Sequence, residues 1–181
     1  MSGVWGEKDS RMDGPEYPKA AQAAPPTYLV AYEGSPMSEH MVHLACRIGN
    51  DTEATVLVLH AIVVPPQLPM TAALLEEDQR AEVVLSRAEA IASRYGVPGR
   101  FVVEHTRSVA EAIVETAREV DARIIFLGLR DRKRTINTLL LSSTVRYVLQ
   151  HAPCQVQIGY LPAALADTVL ERDWARIGHR P

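Results

Sequence analysis

Residues 55–64, TVLVLHAIVV, form a near-continuous apolar run of strand length. A strand that faces water on one side alternates apolar and polar residues. A continuous run belongs to a strand covered on both faces, as in a parallel sheet sandwiched between helices. That single stretch narrows the fold class more than any other.

The rest of the chain supplies what such a sheet needs. Thr27 to Tyr32 is a short β-rich run stopped by Glu33-Gly34-Ser35-Pro36. Ser35, Pro36 and Ser38 make a helix start, and Met41, Leu44, Ala45 and Ile48 recur at helical spacing until Gly49-Asn50, where the pattern is expected to end. After the apolar strand, Pro65, Pro66 and Pro69 mark a loop. A long helix is predicted from about Thr71 to Tyr95, with Ala81, Val84, Leu85, Ala88, Ile91, Ala92 and Tyr95 on one stripe. Phe101 to Val103 reads as the next strand, and Ser108 with Glu111 as a capping box opening a helix to about Val120. Arg123 to Leu127 is a fourth strand ending at Gly128, a further helix opens near Ser142, and Gln155 to Tyr160 is a fifth strand. Strands alternating with helices predict an open α/β fold with a mainly parallel sheet and right-handed crossovers.

Residues 1–26 mix Gly, Pro, Ala and charges without a period and read as a flexible arm. Residues 161–181 form a C-terminal tail in which Ala163 to Ile177 looks helical, with Ala166, Val169, Leu170, Trp174 and Ile177 on one stripe. A helix this short is marginal alone in water, so it should dock on the body or on a partner subunit. Residues 27–160 are then the one folded domain.

A net charge of -3 lacks the basic footprint of a nucleic-acid binder. Two distant cysteines, Cys46 and Cys154, match no metal or redox spacing and suit a reducing cytoplasm. No apolar run is long enough to span a bilayer, and a cytoplasmic protein is expected. His40, His43 and Cys46 are zinc-ligand residue types, but their side chains diverge around a helix, so a polar helix face is the expectation. His60 reads as a satisfied core histidine and Cys154 as a small buried hydrophobe. No G-x-S-x-G elbow, P-loop lysine motif or HExxH is present, which argues against a hydrolase.

Ligands of open α/β folds bind beyond the carboxyl ends of the strands. The strand–loop–helix of residues 122–160 offers there a helix N-terminus suited to a phosphate. Its loop carries Arg130, Arg132, Lys133 and Arg134, read as a solvated basic loop in preference to a phosphate clamp.

From Thr27 to Tyr160 the chain resembles the universal stress protein family. The resemblance rests on Val30-Ala31-Tyr32-Glu33-Gly34-Ser35, on Val58-Leu59-His60-Ala61, on Gly128, and on Ser142-Ser143-Thr144 followed by Ala152-Pro153-Cys154-Gln155-Val156. It implies a five-stranded sheet of order 3-2-1-4-5 with an adenine-nucleotide alpha hydrolase-like fold, and a homodimer through the Val156–Tyr160 edge. It also implies a candidate binding set. Ala31, Tyr32, Glu33 and Ser35 follow strand one, and Ala61 is in strand two. Gly128 and Arg130 follow strand four, and Ser142, Ser143 and Thr144 start the fourth helix.

Nucleotide-binding members carry G-x-x-G, nine residues, then G-S/T. Gly128 and Ser142 match, but Asp131 and Leu141 stand where the other two glycines would be. Glycine lets backbone approach a phosphate, whereas Asp131 adds negative charge and Leu141 adds bulk. The primary expectation is therefore a non-catalytic regulatory or stress-response protein acting through dimerisation and protein contacts, with a degenerate nucleotide cleft. An ATP-, AMP- or cyclic-nucleotide-binding switch using residues 130–134 is the alternative. Slow ATP hydrolysis with Glu33 as base ranks last.

Overall fold

The computed structural model describes residues 24–129 and 142–160, together with Thr168 and Arg172. Five strands, β1 (Thr27–Ala31), β2 (Thr55–Val63), β3 (Gly99–Thr106), β4 (Ala122–Leu129) and β5 (Gln155–Tyr160), alternate with four helices. These are α1 (Pro36–Thr52), α2 (Leu75–Tyr95), α3 (Val109–Glu119) and α4 (Ser143–His151). All strand pairs are parallel, in the order β3-β2-β1-β4-β5, as the family resemblance implies.

The sheet is covered on both faces, which is why the 55–64 run shows no alternation. On one face α1 and α2 bury Met41, Val42, Leu85 and Ile91 against Val30, Val58 and Phe126. On the other, α3 and α4 bury Ile113, Val114, Val145 and Val148 against Leu29, Leu57, Leu59 and Ile125. Each fully buried large apolar side chain contributes about 1.5–3 kcal/mol relative to an exposed one. The two layers are held by the strands they share.

Local signals set most helix starts. Ser35 caps α1 by accepting from Ser38 N at 3.2 Å, with Pro36 in the first turn. Ser108 caps α3 through Glu111 N at 3.3 Å. The reciprocal arm of the expected capping box is replaced, since Ser108 N donates to Thr106 Oγ1 at 3.0 Å. α2 has no side-chain cap and starts at Leu75, later than Thr71. Glu76, Glu77 and Asp78 in its first turn favour the positive end of the helix dipole instead.

Several boundaries move for packing reasons. α1 passes through Gly49-Asn50 and ends at Glu53, a non-glycine residue in the left-handed region with φ 55°. Gly49 is inside the helix because a Cβ there would meet Val56 at 3.3 Å and Val97 at 3.5 Å. β3 runs three residues beyond Val103, and β4 carries Gly128 within the sheet, opposite Gly159 of β5. The His40–His43–Cys46 face is not a polar one, because His43 and Cys46 are both buried. His43 Nδ1 lies 3.2 Å from the Tyr95 hydroxyl, tying α1 to α2.

Of the arm, only residues 24–26 are described, and Pro26 O accepts from Thr55 N at 2.9 Å. The basic loop 130–134, Asp131, Leu141 and most of the C-terminal helical stretch lie outside the described residues. Among the described residues, no helix is long and apolar enough to cross a membrane.

Candidate functional site

The sheet order places the switch point between β1 and β4: α1 and α2 cover one face, α3 and α4 the other. Register makes a notch there. Ala31, the end of β1, pairs with Leu59, while β2 continues to Val63. On the other side Val30 pairs with Phe126, and β4 continues through Leu127 and Gly128 to Leu129. One strand stops short between two longer neighbours. The axes of β2 and β4 are two strand spacings apart there, about 9–10 Å.

The lip of the notch is held by β2. Tyr32 N donates to Leu59 O at 2.9 Å, extending the ladder by one rung. The His60 imidazole, half-buried, reaches Tyr32 O at 2.9 Å through Nδ1. A carbonyl only accepts, so Nδ1 carries the proton in this bond. The histidine is satisfied, as expected, and its partner is the first backbone group past β1.

The two faces of the notch differ. Towards α1 it is filled. A Cβ at Gly128 would lie 3.0 Å from Met37 Cγ and 3.4 Å from Ser38 N, so this glycine lets the N-terminus of α1 close on β4. Gly34, with φ +80°, turns the chain into α1 beside Val84. Towards α3 and α4 the strands present small half-buried residues, Ala31 and Ala61. The N-termini of α3 and α4, capped by Ser108 and Ser142, come to the same edge because both helices follow strands that end there. Ser142 Oγ accepts from Val145 N at 3.2 Å. The remaining N–H groups of that first turn, at Ser143 and Thr144, have no partner within the helix.

The predicted set therefore divides. Ala31, Ala61, Gly128 and Ser142 to Thr144 come to one edge of the sheet. Glu33 is exposed just past β1. Tyr32 contributes only its backbone, since its ring is buried in the α1–α2 layer. There burial, then the nearby Glu39 charge, pushes its phenol above the usual tyrosine range, with Arg87 acting in the opposite sense. Burial likewise raises the Glu39 carboxyl, against the Arg87 guanidinium 3.8 Å away. Ser35, just past β1, caps α1 through Ser38 N and lies 3.3 Å from Ser38 Oγ. Arg130 lies outside the described residues.

Arg107 is a residue that sequence reasoning passed over. Its guanidinium donates to Val64 O at 2.8 Å, to Pro65 O, and to Leu68 O at 2.5 Å. It thereby pins the loop after β2 to the end of β3. Nothing local in the sequence marks it, because the three acceptors are some forty residues away.

Among solved structures, a universal stress protein from Archaeoglobus fulgidus is 24% identical. It superposes with a TM-score of 0.61 over 74% of this chain and 92% of that one. One from Burkholderia pseudomallei is 27% identical, with a TM-score of 0.56 over 76% and 96%. A third, determined in complex with cAMP, is 22% identical, with a TM-score of 0.60 over 76% and 98%. Comparison with curated proteins gives no match. The sequence profile of the universal stress protein family matches residues 27–158, from the first residue of β1 to within two residues of the end of β5. With β1 to β4, most of β5, the switch-point notch and the Ser142 helix start inside that span, the chain belongs to the universal stress protein family.

Proposed function

We propose that this chain is a non-catalytic regulatory protein whose notch takes an adenosine monophosphate in preference to ATP. The observation that supports this is the early end of β1 at Ala31, between the longer β2 and β4, on the sheet edge at which the Ser142-capped α4 also starts. Half-buried Ala31 and Ala61 leave room for a base, and the first-turn N–H groups of α4 suit one phosphate. Asp131 and Leu141 stand where nucleotide-binding members carry glycines, which disfavours the close backbone approach a longer phosphate chain needs. Solved relatives hold cAMP, dAMP and AMP. Glu33 at the β1 end is exposed rather than enclosed against a reacting group, in keeping with a binding role.

Output of such a protein would pass through a second subunit. β5 is one of the two edge strands, with Gln155, Gln157 and Tyr160 exposed. Unpaired strand edges invite pairing, and the Val156–Tyr160 edge is our dimer surface.

Calorimetric titration of the purified chain with AMP and with ATP tests the binding reading. Saturable AMP binding, with ATP no tighter, is expected. No heat with AMP, or ATP binding tenfold tighter than AMP, would overturn it.

A further inference from the structure

Of the large apolar side chains exposed among the described residues, all but Leu149 and Tyr160 lie in one stretch of the chain. Val63, Leu68, Met70, Leu75 and Val83 belong to the end of β2, the loop after it and the first half of α2. Val83 is 60% exposed on α2 and borders an open groove of about 520 Å³, with Gln79, Arg80 and Val84 beside it. Val84 touches the Gly34 turn, and Arg87, one turn further along α2, meets Glu39. The groove thus runs on the α1 side of α2, at the carboxyl edge of the sheet. An exposed valine bordering such a groove marks a candidate contact site.

We propose that the occupant is the chain's own segment 163–177, docked in cis with Trp174 in the groove beside Val83. Three observations select it. The first is the point of departure. β5 ends at Tyr160 on the carboxyl edge, whereas residues 1–26 lead into the start of β1 on the opposite edge. The second is reach. α2 packs over β2 and β3, three to four strand spacings from β5, or about 14–19 Å. A helix over 163–177 is about 22 Å long. The third is orientation. Thr168 and Arg172 are helical and exposed, and Arg172 Nε donates to Thr168 O at 3.3 Å. At 100° per residue both positions are at least about 120° around the helix from Ala166, Leu170, Trp174 and Ile177. The two described positions are thus on the polar side of the sequence pattern, and the apolar stripe calls for a surface. Of the other exposed apolar residues, Leu149 is near the C-terminal end of α4 and so at the wrong edge, and Tyr160 is the strand end from which the segment departs.

The test uses the full chain with Trp5→Phe, which leaves Trp174 as the only indole. Its emission should be blue-shifted and protected from acrylamide. Val83→Arg, at an exposed position, should move emission to the red and raise the quenching constant severalfold while the thermal transition of the domain is retained. Leu149→Arg should leave both readings unchanged. The proposal is overturned if Val83→Arg changes neither reading or if Leu149→Arg does so instead. Protection that disappears on dilution also overturns it, because the occupant is then a second copy of the chain.

Discussion

The Nδ1 atom of His60, on β2, lies 2.9 Å from the carbonyl oxygen of Tyr32, the first residue past β1. This side chain bridges the strand that runs on to the strand that stops, and so defines one wall of the notch. A typical hydrogen bond of this kind contributes about 0.5–1.5 kcal/mol net. His60→Ala should lower the unfolding free energy by about 1 kcal/mol in a denaturant titration. His60→Gln, whose amide can still donate, should recover part of it. If the alanine variant unfolds at the same midpoint as the parent, the bridge carries no stability.

Gly159 of β5 sits under α1, where a Cβ would collide with Met41 Sδ and Met37 Cε. Overpacking a filled interior costs about 1–3 kcal/mol. Gly159→Ala should lie within that range, towards its lower end because methionine side chains adapt. In the Gly159→Ala background, Met41→Leu should cost less than it does alone, giving a measurable coupling between the two sites. Strict additivity in the double-mutant cycle would show that the glycine is not needed for α1 to cross β5.

The glycines show how far the sequence could be read. Alternation of apolar runs with helical stripes revealed every strand and helix of the described fold, because each element must turn its apolar side to the shared sheet. What each glycine does depends on partners far away in the chain. Gly49 looks like a helix stop, yet Val56 and Val97 make it a packing residue inside α1. Gly128 looks like the first glycine of a phosphate loop, yet Met37 and Ser38 explain it as the floor on which α1 rests. His43 and Tyr95, more than fifty residues apart, form a buried pair that no local pattern announces. The edge carrying Ala31, Ala61 and Ser142 was legible because the end of a parallel strand is a general binding position. The exclusion of the Tyr32 ring from the notch was not, since it depends on which face the side chain takes.

Cys46 is fully buried in α1, and burial pushes its thiol from the ordinary 9.0 up to about 12. An unfolded chain ionises this thiol near 9, while the folded chain keeps it protonated. The stability contributed by the protonated thiol is complete below 9 and is lost as pH rises towards 12. The slope is at most about 1.4 kcal/mol per pH unit for one proton. Cys46→Ala should therefore show a shallower alkaline decline of unfolding free energy than the parent, whatever its stability at neutral pH. Parallel alkaline limbs for the two proteins would contradict the assignment. In the native state a thiol reagent should modify the half-buried Cys154 well before Cys46.

Ser142 joins structure to the proposed binding function. Its hydroxyl accepts from Val145 N and so satisfies one of the N–H groups at the start of α4, a helix of only nine residues. Replacing an N-cap serine by alanine costs about 1 kcal/mol. Ser142→Ala should lose about that much in a urea titration, and Ser142→Asp should retain the cap. The two variants should then separate under AMP. Aspartate brings a negative charge to the helix start where the phosphate is expected, so it should weaken AMP binding more than alanine does, although it leaves α4 better capped. Calorimetry on the pair decides the matter. If AMP affinity follows helix stability, with aspartate binding as well as the parent, the phosphate is not held at the start of α4.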